Sequence, residues 1–172
     1  MLLGLVIAHE ASRPGAQTTG GPASPSGVRS TVTWVLDLLR EGEATSATFR
    51  TVVTALGRTD AIVYVEPGIC AFGRFHACLP AAVSTSGGVR YLRVLFEPAR
   101  APRPQLIALI GHELQHALEV ATVPGVRSSD GIRRLFGRVG QSVECPKGMV
   151  DCFETTAARD VGDRILAELE KR

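Results

Sequence analysis

The stretch PQLIALIGHELQHALEVAT, residues 104–122, decides how this chain is read. Proline stands in its first turn, where a missing N–H costs nothing, and Pro124-Gly125 follows its end, so the pattern predicts one long helix. Ile107, Leu109, Ile110 and Leu118 supply its apolar flanks. His112 and His116 are four residues apart, which puts both imidazoles on one face, a turn apart and within reach of one metal ion. Glu113 lies beside that ion, placed to accept a proton from water. Zinc suits the site, because it takes nitrogen ligands, has no redox chemistry and leaves a position open for water. Two of the four histidines of the chain fall in this one turn. That favours a metal site over the plainer alternative, an amphipathic helix whose histidines make ordinary hydrogen bonds.

Upstream, the hydrophobic period changes to that of a sheet. Ala61 to Val65 is apolar and β-branched and is broken by Pro67-Gly68, and a second extended piece is expected from Cys78 to Ser84. Ser86-Gly87-Gly88 turns the chain into Val89–Phe96, where Leu92, Val94 and Phe96 face one way and Tyr91, Arg93 and Leu95 the other. These pieces predict a small, mostly antiparallel sheet of about three strands. Before them, Val28, Val32, Val35, Leu36 and Leu39 recur at helical spacing up to Gly42, and a second helix is expected from Thr45 to Leu56. After the central helix, Ser129 or Asp130 can cap a short helix with Ile132, Leu135, Phe136 and Val139 on one face. A last helix is expected from Phe153 to Leu169, burying Ala157, Val161, Ile165 and Leu169. The fold class is α+β, a sheet packed on the histidine helix and further helices in a single domain, residues 28–172.

The chain has 172 residues, 45% hydrophobic and 21% charged, with a formal net charge of +2. This is ordinary for one globular domain. It lacks the basic footprint of a duplex binder, and its few aromatics argue against stacking on single strands, so no nucleic-acid partner is expected. No apolar run approaches the ~18–20 residues of a membrane span. Neither a phosphate-binding G-x-x-x-x-G-K-[ST] nor a dinucleotide-binding G-x-G-x-x-G is present. Leu2 to Ala8 reads as the apolar region of a secretory signal peptide, so residues 1–10 are expected to be its remnant, with a frayed terminus or a first strand as the alternative. Residues 11–27, rich in Ala, Ser, Thr, Pro and Gly, read as a disordered linker. Four cysteines form two local pairs, Cys70 with Cys78 and Cys145 with Cys152. In an exported protein these are disulfides; reduced thiols or a four-thiolate zinc site are the alternatives, the latter poorly matched by gaps of seven and six residues. Lysine occurs only at 147 and 171, which hints at a GC-rich bacterial genome.

Residues Ile110-Gly111-His112-Glu113-Leu114-Gln115-His116-Ala117-Leu118 resemble the active-site helix of the zincin metallopeptidases, and the sheet-then-helix order before them is similar to that layout. The resemblance implies a zincin-like fold in which His112 and His116 bind zinc, Glu113 is the general base, and a third ligand lies further along the chain. The metzincin extension is absent, since Glu119 and Thr122 stand where that branch has glycine and histidine or aspartate. The glutamate branch places the third ligand on a later helix, and Glu154-Thr155-Thr156-Ala157-Ala158 is similar to its pattern through Glu154 and Ala157, departing at Ala158. Glu154 is therefore the expected ligand, at the start of the last helix, with Glu144 and Glu119 as alternatives; Glu119 is better placed to orient His116. A charge favourable to a helix N-terminus is the plain reading of Glu154. A Cys145–Cys152 disulfide would hold Glu154 against the catalytic helix.

The implied function is zinc-dependent hydrolysis of peptide bonds in a peptide or protein substrate by an exported enzyme. Tyr91, Tyr64 and His76 are candidates for stabilising the oxyanion, and Arg90 to Phe96 for pairing, as an exposed sheet edge, with an extended substrate. Arg127, Arg133, Arg134 and Arg138 either attract acidic substrates or form a solvated face, the latter preferred. Two other functions stay open: a non-catalytic domain stabilised by zinc for binding, and a zinc amidohydrolase or deamidase acting on a non-peptide amide.

Overall fold

The computed structural model describes residues 27–70, 76–145 and 151–171. The expected signal remnant (1–10), the linker up to residue 26, the loop through Gly73 and the turn at Pro146–Gly148 lie outside the described residues. In order, the elements are β1 (Val28–Arg29), α1 (Thr33–Thr45), α2 (Ala47–Leu56), β2 (Ala61–Pro67), β3 (Ala77–Cys78), β4 (Ser84–Ser86), β5 (Val89–Phe96), α3 (Arg103–Ala121), α4 (Ser129–Val139), β6 (Gln141–Ser142), β7 (Phe153–Glu154) and α5 (Thr156–Glu170). The architecture is α+β: among the described residues, five α-helices with a small mixed sheet and a separate two-stranded ribbon.

Alternation along β2 and β5 builds the sheet. Ala61, Val63 and Val65, with Leu92, Val94 and Phe96, are buried under the helices, and their neighbours point to the other face. The sheet corrects the expectation of three mostly antiparallel strands. Among the described residues it has five, and its longest pairing is parallel, β2 on β5 from Ala61↔Arg90 to Pro67↔Phe96, with β1 parallel to β2. The antiparallel contacts are short, β3 and β4 each on β5. Helices α1 and α2 carry the chain from β1 back to its parallel neighbour β2, the connection such a pair requires. Gly87 and Gly88, with φ of 56° and 84°, form the two-residue turn from β4 to β5, where both positions need positive φ. The stretch Arg90–Phe96 is therefore no edge, since β2 lies on one side and β3 and β4 on the other.

Helix boundaries shift where capping competes with periodicity. The helix expected from Val28 begins at Thr33 because Val28–Arg29 pairs with β2, and it runs through Gly42 to Thr45. Ser46 caps α2, its hydroxyl accepting the Phe49 N–H at 2.9 Å. Ser128, one residue before the expected caps, accepts the Gly131 N–H at 3.1 Å. In α4, Ile132, Leu135 and Phe136 are buried while Val139 is exposed. The last helix starts at Thr156; Val161, Ile165 and Leu169 pack against the core as expected, while Ala157 is exposed and Ala158 is buried instead. Helix α3 crosses the core, with Ile107, Ile110, Leu114, Ala117 and Val120 at 0–1% exposure. Gly111 lets α5 lie close against it, for a Cβ there would stand 2.2 Å from Ile165 Cδ1.

Candidate metal centre

Helix pitch alone puts His112 and His116 together, with ring centroids 4.9 Å apart in an edge-to-face pair. His116 is buried, and its ring meets Phe136 of α4 edge-on at 5.3 Å. The third group arrives from the ribbon. β6 and β7 pair with Gln141 opposite Glu154, and the Val143 N–H donates to the Cys152 carbonyl at 3.0 Å. The Cys145–Cys152 disulfide closes this ribbon, and Cys70–Cys78 joins the end of the β2 region to β3. Glu154 thus sits on β7, just before the Thr155 cap of α5, and not inside the helix as expected.

The carboxylate of Glu154 reaches both imidazoles. Its Oε2 is 3.3 Å from His112 Nε2 and its Oε1 is 3.3 Å from His116 Nε2. Among the described residues, the donor group able to hold a metal ion is His112, His116 and Glu154, whose ligand atoms lie within 4.8 Å of one another. Glu144 is not in that group, and Glu119 lies behind His116, with its Oε2 3.1 Å from Nδ1. An ionised carboxylate only accepts, so His116 Nδ1 carries the proton shared with Glu119 and Nε2 is left facing a second acceptor. Such an arrangement needs positive charge among the three atoms, from a protonated imidazole or from a metal cation. Two nitrogens and one carboxylate oxygen converging on one point form a donor set that fits a divalent ion with an open position.

The electrostatics agree. Burial works against a charge on His116, but Glu119, Glu154 and Glu113 outweigh it and lift its pKa to about 9. Partial burial likewise opposes charge on Glu154, yet its contacts with His112 and His116 hold it well below the usual carboxylate range. Glu113 goes the other way. Burial pushes it up, Glu154 adds to that, and the two histidines and the Leu79 N–H oppose. Its Oε1 lies 4.0 Å from His112 Nε2, so a buried carboxylate of raised proton affinity stands beside the donor set.

The three oxyanion candidates separate in space. His76 shares a cavity of about 270 Å³ with His112, lined also by Leu109, Arg159 and Leu166. Tyr64 and Tyr91 line another, of about 500 Å³, with Glu66 and Arg93. The arginines around α4 are exposed, and two of them meet carboxylates, Arg133 with Asp130 at 2.8 Å and Arg127 with Asp60 at 3.3 Å.

Sequence reasoning missed two buried residues, one that anchors the helix bearing the histidines and one that contacts Glu119. Arg90 is fully buried, bonded to Asp60 and to the carbonyls of Val120, Ala121, Val123 and Val126, so it anchors the C-terminal end of α3. Its alternation with Leu92, Val94 and Phe96 was the available signal, because that phase places it on the helix-covered face. Thr155 donates its hydroxyl proton to Glu119 Oε1 at 2.8 Å while accepting the Ala158 N–H at 3.1 Å. No protein-family model, no curated protein and no solved structure matches this chain.

Proposed function

We propose that the protein is a zinc-dependent peptidase of zincin type, with His112, His116 and Glu154 as ligands and Glu113 as general base. The observation that carries this is the convergence of the three ligand atoms within 4.8 Å, with the buried Glu113 alongside. When bound, zinc supplies Lewis acidity, polarising an amide carbonyl and acidifying nearby water. Glu113 accepts a proton from that water and delivers it to the leaving amine nitrogen. Its raised proton affinity suits the first half of the transfer, since a base that holds its proton more tightly accepts it more readily from water. The cavity beside His112 offers room for a substrate side chain, and His76 on its wall is the oxyanion candidate that shares a cavity with one of the ligands. Export is part of the proposal, supported by the two disulfides, which persist in oxidising compartments. No helix among the described residues is long and apolar enough to cross a membrane.

Elemental analysis tests the metal and its ligands. About one zinc per chain is expected in wild type, as for a mononuclear site, and its loss in both His116→Ala and Glu154→Ala. Glu113→Gln should keep the zinc and lower cleavage of a denatured protein by ~10²–10⁴-fold. Zinc binding without any hydrolysis would refute the enzyme and leave a zinc-stabilised binding domain. Hydrolysis confined to small non-peptide amides would make the protein an amidohydrolase.

A further inference from the structure

We propose that Glu119 and Thr155 form a positioning relay that holds His116 and Glu154 in register before any metal arrives. The inference rests on the metal centre described above and adds the device that assembles it. Four contacts close a ring. His116 Nδ1 donates to Glu119 Oε2 at 3.1 Å, and the Thr155 hydroxyl donates to Glu119 Oε1 at 2.8 Å. The Thr155 N–H donates to Glu154 Oε1 at 2.8 Å, and that same oxygen faces His116 Nε2 at 3.3 Å.

The hydrogen-bonding inventory leaves little freedom within this ring. Thr155 has one hydroxyl proton, spent on Glu119, while its oxygen also takes the Ala158 N–H that caps α5. Glu119 accepts with both oxygens, so it fixes the His116 tautomer with one and the entry to α5 with the other. Thr155 is 4% exposed, and an unmade hydrogen bond at such depth is costly, which makes the arrangement stiff. One carboxylate on α3 therefore sets the orientation of a ligand on its own helix and the position of a ligand 35 residues away, since Thr155 is covalently next to Glu154 (154 against 119).

Glu119→Gln tests the relay while leaving the α5 cap in place. Only one end of an amide accepts, so either the His116 Nδ1 proton or the Thr155 hydroxyl proton meets NH₂ and loses its acceptor. Zinc affinity, read by competition with a chromophoric chelator, should fall ~10–100-fold, the usual loss when the partner of a ligand histidine is removed. Thr155→Val should show a similar loss and Thr155→Ser should restore affinity, with the visible spectrum of cobalt-substituted protein distorted only in the first. Equal affinity in wild type and Glu119→Gln overturns the relay while the metal site stands. A folded wild type that binds no zinc overturns the site and the relay together.

Discussion

Replacing Arg90 by methionine removes the guanidinium and keeps the length of the side chain. The cost can be worked from its partners. Asp60 is one-third exposed and rehydrates on losing the arginine. Two of the four carbonyls keep another donor, since Val120 accepts from Val123 N–H at 3.2 Å and Val123 from Val126 N–H at 3.0 Å. The carbonyls of Ala121 and Val126, both on buried residues, lose the donor they have in Arg90. Two such groups at ~1–3 kcal/mol each give roughly 2–6 kcal/mol, and packing of the methionine offsets part of that. A net loss of about 3–4 kcal/mol is expected, a large share of the ~5–15 kcal/mol that holds a domain together. Urea unfolding at neutral pH measures it, and thermal unfolding should fall by ~6–16 °C at this chain length. Arg90→Lys should recover only part, because an ammonium is a single donor point and not a fork. Zinc content of the folded variant should hold, since the ligands lie a turn or more before the anchored carbonyls. A loss below ~1 kcal/mol would refute the view that Arg90 anchors α3.

Three further outcomes are expected. Replacing Cys145 and Cys152 by serine releases the ribbon that carries Glu154, a constraint worth ~2–3 kcal/mol for so short a loop; zinc affinity should fall, and unchanged affinity in the double variant would show that β6–β7 pairing suffices. Glu168 accepts from the Ser46 and Thr48 hydroxyls and the Thr48 N–H, which hold its pKa below the ordinary 4.5 despite partial burial. Its contribution is therefore complete above that value and lost as pH falls towards the depressed one, so Glu168→Gln should be less stable than wild type at pH 7 and lose less on acidification to pH ~3, by denaturant titration at both pH values. Gly111→Val drives a branched side chain into Ile165 and Phe49 and should cost at least ~1–3 kcal/mol, read from the urea midpoint; a neutral result would mean α5 can move away from α3 freely.

Local patterns in the sequence were enough to place the long elements. Alternation in Val89–Phe96, the period of residues 104–122 and the Gly87-Gly88 turn each act within a few residues, and each element appears where its pattern lies. Pairing is different. Nothing within Ala61–Pro67 says that its partner is Val89–Phe96 or that the two run parallel, because a half-buried strand alternates in the same way whichever direction its neighbour takes. The one departure in the stripe of α5, at Ala157, lies next to the cap. Thr155 serves as the cap and as the donor to Glu119, so the helix starts three residues later than its period suggests, with Ala158, not Ala157, buried in its first turn.

The site divides along the same line. Two histidines at i and i+4 on a helix have one possible relation, so their meeting is written in one turn of backbone and needs no tertiary knowledge. Glu154 reaches them through a ribbon pairing, a disulfide and a helix cap in succession, each of which selects among positions the sequence leaves open. A pattern match singled it out, but the match expected a helical residue, and a glutamate on a rigid helix start would point by helix geometry. On β7 its aim is instead set by Thr155 and, through it, by Glu119. The candidate metal centre is therefore built with residues that carry no motif, and changes at Thr155 or Cys152 should disturb the proposed zinc binding as changes near His112 do.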